Sequence, residues 1–109
     1  MDFLEKYAKF LSQYAKYRQG AEIEQELLNM RLSMLGQDHP DVAKSYNSIA
    51  LVQYQLGAYS TALQYLEKAL DIRLSLYGDN HPVVASTYNN LGGLHASLAD
   101  FQKASEYYE

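Results

Sequence analysis

The stretch Leu70-Asp71-Ile72-Arg73-Leu74-Ser75-Leu76-Tyr77-Gly78-Asp79-Asn80-His81-Pro82-Val83-Val84-Ala85-Ser86-Thr87-Tyr88-Asn89 decides the fold, because the chain contains it twice. Forty-two residues earlier, Leu28-Asn29-Met30-Arg31-Leu32-Ser33 leads through Gly36, His39-Pro40 and Val42-Ala43 to Tyr46-Asn47. Residues 28–67 laid on 70–109 without a gap give 15 identities in 40 positions. A duplication of that density at a fixed period marks a repeat architecture, in which each unit buries its apolar face against the next.

Within the period the pattern is helical. Val42, Ala43, Tyr46, Ile49, Ala50 and Leu56 fall at spacings that place them on one helix face, and Tyr59, Ala62, Leu63, Leu66, Ala69, Leu70, Ile72 and Leu76 do the same. Gly57-Ala58 interrupts the two runs, so each unit reads as helix A, a tight turn and helix B. Gly36 and Gly78 stand where helix B must stop. Asp38-His39-Pro40 and Asn80-His81-Pro82 follow. Their Asp or Asn offers a capping oxygen, and proline suits the first helical turn. Shifted back by 42, the pattern reaches the N-terminus: Ala8 matches Ala50, Gln13 matches Gln55 and Tyr17 matches Tyr59. The reading is three repeats at about 1–38, 39–80 and 81–109, with helices at 2–14, 17–35, 40–56, 59–77, 82–98 and 101–109. The fold class is all-α, a right-handed superhelix of helix-turn-helix repeats in one domain over 1–109.

Composition narrows the function. A net charge of −4 argues against a nucleic-acid partner, which needs a basic surface. No apolar run is long enough to span a bilayer, and Asp2, Glu5, Lys6 and Lys9 break up any leader-like start. The absence of cysteine removes disulfides and thiolate metal sites, consistent with a cytoplasmic setting. Eleven tyrosines supply large apolar area with a polar handle, useful in packing and at binding surfaces.

Small residues at Ala50, Ala62, Ala69, Gly92 and Ala104 alternate with large ones at Tyr46, Leu66, Tyr88 and Tyr108. This pattern resembles the tetratricopeptide repeat. The 42-residue period, with Gly-x-Asp/Asn-His-Pro-x-Val-Ala-x-x-Tyr-Asn at the junction, is similar to the repeats of kinesin light chain. The resemblance covers the whole chain and implies an α-solenoid that binds protein or peptide partners without catalysis.

On that pattern helix A lines the concave side. The inward positions are Asp2, Glu5, Lys6, Lys9, Ser12 and Gln13 in repeat one, and Lys44, Asn47, Ser48, Leu51, Tyr54 and Gln55 in repeat two. In repeat three they are Ser86, Asn89, Asn90, Gly93, Ala96 and Ser97. These residues are polar or small where a packed face would be apolar. The resemblance implies that Asn90 bridges to the backbone of a bound peptide, an amide being both donor and acceptor. Ser48 is the shorter counterpart in repeat two. It also implies that Arg31 and Arg73 reach the groove. With Lys6, Lys9 and Lys44 on the inferred inner face, and Glu22, Glu24, Glu26, Glu67, Asp71 and Glu106 elsewhere, an acidic chain carries a locally basic groove. The expected ligand is an extended acidic peptide with an aliphatic or aromatic anchor seated at the gap left by Gly93 and Ala96.

Other signals point to structure. His39 and His81 recur beside proline at each junction, which suits capping or packing better than metal binding. His95 has no partner at i+4 and suits a core or groove position. Gly92-Gly93 lies inside a helix without the strand a phosphate loop needs. No nucleophile, base and acid are spaced as a triad, and no cofactor is implied. The period calls for about ten more residues of helix B after Glu109, and no polar cap covers either end. The expectation is a piece of a longer array, or ends covered by another copy. The competing role is therefore an assembly scaffold whose repeats stack on another copy or on the rest of the array.

Overall fold

The computed structural model describes residues 3–98 and Tyr107. Four helices run in order: α1 (Phe3–Leu35), α2 (Pro40–Gln55), α3 (Tyr59–Tyr77) and α4 (Pro82–Ser97). Each packs on its sequence neighbour, as in a solenoid. The helix expected at 101–109 lies outside the described residues, Tyr107 apart.

The turn between α2 and α3 is set by one residue. Gly57 has φ of +81°, and its N–H donates to Tyr54 O at 3.0 Å while Ala58 N–H donates to Gln53 O at 2.9 Å. A side chain in that left-handed region is strained, so glycine is needed to reverse the chain. α3 ends at Gly78, with φ 77° and ψ 179°, a conformation essentially confined to glycine.

The same reasoning explains the main departure from the sequence reading. A break was expected between 14 and 17, but α1 is one helix of 33 residues. At the shifted positions of Gly57-Ala58 stand Ala15-Lys16. Both are strong helix formers and neither takes a positive φ cheaply, so nothing stops the helix. Repeat one therefore has no hairpin, and residues 4–19 are exposed.

The helix starts hold a second correction. The caps are the histidines, not the preceding Asp38 and Asn80. His39 Nδ1 accepts from Asp41 N–H at 3.0 Å, and His81 Nδ1 accepts from Val83 N–H at 3.1 Å. Both histidines have extended backbone, and Pro40 and Pro82 open the helices. The His81 ring also stacks on Tyr77, centroids 4.3 Å apart.

The core forms two adjoining clusters. Leu28, Val42, Ala43, Ile49 and Ile72 join α1, α2 and α3; Ala50, Ala62, Leu66, Leu70, Val84, Leu91 and Leu94 join α2, α3 and α4. Val42 and Val84 are repeat equivalents and both are fully buried. His95 is buried and packs its ring on Tyr107 at 5.4 Å, which makes it a core residue.

We expect Gly78→Ala to destabilise the chain by about 1–3 kcal/mol, through backbone strain alone. His39→Ala should cost about 1 kcal/mol and His39→Asn should recover most of it. His81→Asn should recover less, because the Tyr77 stacking is lost. Urea denaturation of the four variants measures all of these.

Candidate functional site

α2 and α4 lie side by side, and their facing side chains meet at two rungs. Asn90 Nδ2 donates to Asn47 Oδ1 at 3.5 Å. One helical heptad further on, Tyr54 Oη and Ser97 Oγ are 3.4 Å apart. Ser97 Oγ gives its proton to Gly93 O at 3.1 Å, so Tyr54 is the donor across the rung.

Between the rungs is a cavity of about 180 Å³ lined by Ala50, Leu51, Tyr54, Leu66, Asn89, Asn90, Gly93 and Leu94. The lining is apolar apart from the two asparagine amides and the Tyr54 hydroxyl. Ala50 and Gly93 keep it open, because neither fills the space between the helices. The sequence reading named Leu51, Tyr54, Asn89, Asn90 and Gly93, and the structure brings these five together. Ala96 does not line the cavity. Sequence reasoning missed the floor, Ala50, Leu66 and Leu94, since these read as core positions.

A second cavity, nearer the helix starts, is lined by Pro40, Asp41, Lys44, Asn47, Ser48, Arg73, Tyr77 and Val83. It gathers Lys44, Ser48 and Arg73, and shares Asn47 with the nearer rung. Asp41 stands on the same rim, so the two cations do not act alone. Lys6 and Lys9 line neither cavity. They sit on the exposed first half of α1, where the missing turn leaves them.

The arginines do a further job. Arg31 Nη1 donates to Ser45 Oγ at 2.8 Å and to Asp41 O at 3.1 Å. Arg73 Nη1 donates to Thr87 Oγ1 at 2.8 Å, and that hydroxyl donates on to Val83 O at 2.9 Å. Ser45 and Thr87 are fully buried repeat equivalents. Each arginine thus ties a B helix to the A helix that follows. Burial lowers the pKa of Arg73, with Tyr77 acting in the opposite sense, and the guanidinium stays charged. The signal for this staple was in the sequence: Arg31/Arg73 and Ser45/Thr87 repeat together.

Among the described residues, no group of three His, Asp or Glu could hold a metal ion, and no helix is long and apolar enough to cross a membrane.

Helical units that stack through a buried A–B core and present their A helices side by side define an α-solenoid. The tetratricopeptide-repeat family model matches residues 4–75 and again 41–109, so the chain belongs to the tetratricopeptide-repeat family, in its kinesin-light-chain-like form. It is similar to the crystal structure of BtubC (BKLC) from P. vanneervenii, with a TM-score of 0.80 and 28% identity over 93% of this chain. The chain spans 40% of the length of BtubC. No curated protein matches it significantly. Repeats of this family generally serve protein–protein interaction or scaffolding.

The Arg73–Thr87 staple is testable. A double-mutant cycle with Arg73→Met and Thr87→Val should return a coupling energy of about 1–3 kcal/mol, the range for a hydrogen bond from a charged donor. The cycle at Arg31 and Ser45 should give a coupling of the same sign.

Proposed function

We propose that the chain is a non-catalytic interaction module that binds an extended peptide across the α2–α4 face. The observation that carries this reading is the apolar cavity between the two rungs. Its volume of about 180 Å³ suits one aliphatic or aromatic side chain, and its rim offers asparagine amides rather than apolar groups. An amide at the rim meets a peptide backbone with donor and acceptor at once, so it fixes the strand without reading its side chains. The anchor then supplies the affinity and the rim supplies the register.

The neighbouring cavity gives the peptide its charge preference. Lys44 is exposed on its wall and Arg73 lies beside it, so an acidic residue one or two positions from the anchor meets a cation. Asp41 on the same rim weakens this preference. The ligand we propose is an extended acidic segment carrying one Leu- or Phe-like anchor.

Fluorescence polarisation with peptides that pair Asp or Glu with a Leu or Phe anchor tests the reading. Gly93→Leu should fill the cavity and weaken binding at least tenfold, about 1.4 kcal/mol. Lys44→Glu should weaken binding and flatten its dependence on salt. Both variants should melt as the parent does. Binding unchanged by both substitutions would exclude this face.

A further inference from the structure

The first half of α1 is two-sided. Leu4, Tyr7, Phe10, Leu11, Tyr14 and Tyr17 share an arc of about 140°, at about 100° per residue. Each is between 37% and 73% exposed, and neither core cluster includes any of them. Glu5, Lys9, Ser12 and Lys16 fall on the opposite side. Within the stripe, Leu4, Tyr7, Leu11 and Tyr14 recur at spacings of three, four and three, which is the seam of a coiled coil. Ala8 and Ala15 flank the seam on one edge, Phe10 and Tyr17 on the other. The seam runs into a cavity of about 310 Å³, where Tyr14 and Arg18 meet Gln53, Leu56 and Ala58 at the end of α2. Residues 4–14 are therefore the stretch open to a partner.

We propose that this stripe pairs with the same stripe of a second copy, the two first halves lying antiparallel about a two-fold axis level with residue 9. Leu4 then lies level with the partner's Tyr14, and Tyr7 with the partner's Leu11. Each of the four layers sets a leucine against a tyrosine, and the register uses the whole open stretch. Ala8 and Ala15 let the helices approach closely on one edge, while Phe10 and Tyr17 close the other.

Charge selects the direction and the occupant. Arg18 is the next residue of the seam, so a parallel pair would set it against the partner's Arg18. The antiparallel pair separates the two by about 27 Å along the axis, at 1.5 Å per residue. Lys9 and Lys16 stay on the outer faces, so no charge enters the seam. An anionic lipid surface laid on the stripe would leave those two lysines pointing away from it. The area sets the strength. Counting about 200 Å² for each large side chain, the six leave roughly 600 Å² uncovered per copy. Two copies offer at most about 1,200 Å², the low end for a specific interface, which calls for a dimer that dissociates on dilution. The stripe shares no residue with the cavities of the α2–α4 face, so the pairing is independent of peptide binding.

Sedimentation over a range of concentrations should show the parent passing from monomer to dimer and no further. Leu11→Glu puts a carboxylate into two of the four layers and should weaken the dimer at least about tenfold. Leu11 is 46% exposed and outside the core, so the circular dichroism of the monomer should not change. The chain has no cysteine, so Gln19→Cys carries a single nitroxide label. The antiparallel pair sets the two labels about 30 Å apart along the axis. A parallel pair would bring them to little more than the interaxial distance of about 10 Å. Four results would overturn the proposal: a parent monomeric at every concentration, whether or not it sediments with phosphatidylserine vesicles; a dimer that Leu11→Glu leaves intact; the short label distance; or a ladder of higher species.

Discussion

A single backbone angle governs how this chain is arranged. At Gly57 the chain takes φ of +81° and reverses, so α3 returns along α2 and both bury their apolar faces. The energy that holds the repeat together comes from burial of Ile49, Leu66, Leu91 and their neighbours, at roughly 1.5–3 kcal/mol for each large side chain. That burial is available only if the reversal occurs. Where Ala15 and Lys16 occupy the corresponding place, the same apolar spacing yields a straight helix and an exposed stripe.

This contrast also marks what was legible in the sequence. α2, α3 and α4 start and stop within one residue of the expected positions, because their boundaries are written in proline, histidine and glycine. The hairpin of repeat one was not legible from similarity of period. Ala8, Gln13 and Tyr17 match their counterparts, but matched core positions do not make a turn. The residue that mattered was the one that failed to match. The histidine caps were half legible: their recurrence beside proline pointed to capping, while an imidazole nitrogen as the acceptor is less familiar than the carboxylate or amide next to it.

The candidate site divides in the same way. Leu51, Tyr54, Asn89, Asn90 and Gly93 were found because they fall at the inward register of helix A, on a face where polar and small residues interrupt the apolar period. The cavity floor was missed because Ala50, Leu66 and Leu94 serve core and pocket at once, and hydrophobicity does not separate the two uses. Arg31 and Arg73 showed the opposite problem. The resemblance implied a groove role, yet each guanidinium is anchored to a buried hydroxyl on the next helix, which fixes the relative placement of consecutive repeats. Arg73 does both, since it also stands on the wall of the second cavity.

The two rungs have an offset that the period alone would not give. Asn47 pairs with Asn90, and Tyr54 with Ser97, each 43 residues on rather than 42. No residue on this face bonds to its own repeat image: the counterpart of Asn90 is Ser48, but its partner is Asn47. Successive A helices are thus slipped by one residue where they meet, about 1.5 Å along the axis, so the rungs slant across the face. Each rung is a pair of two different repeat positions, free to vary independently of the core. A solenoid with identical packing in every unit can in this way carry a different recognition surface at every junction.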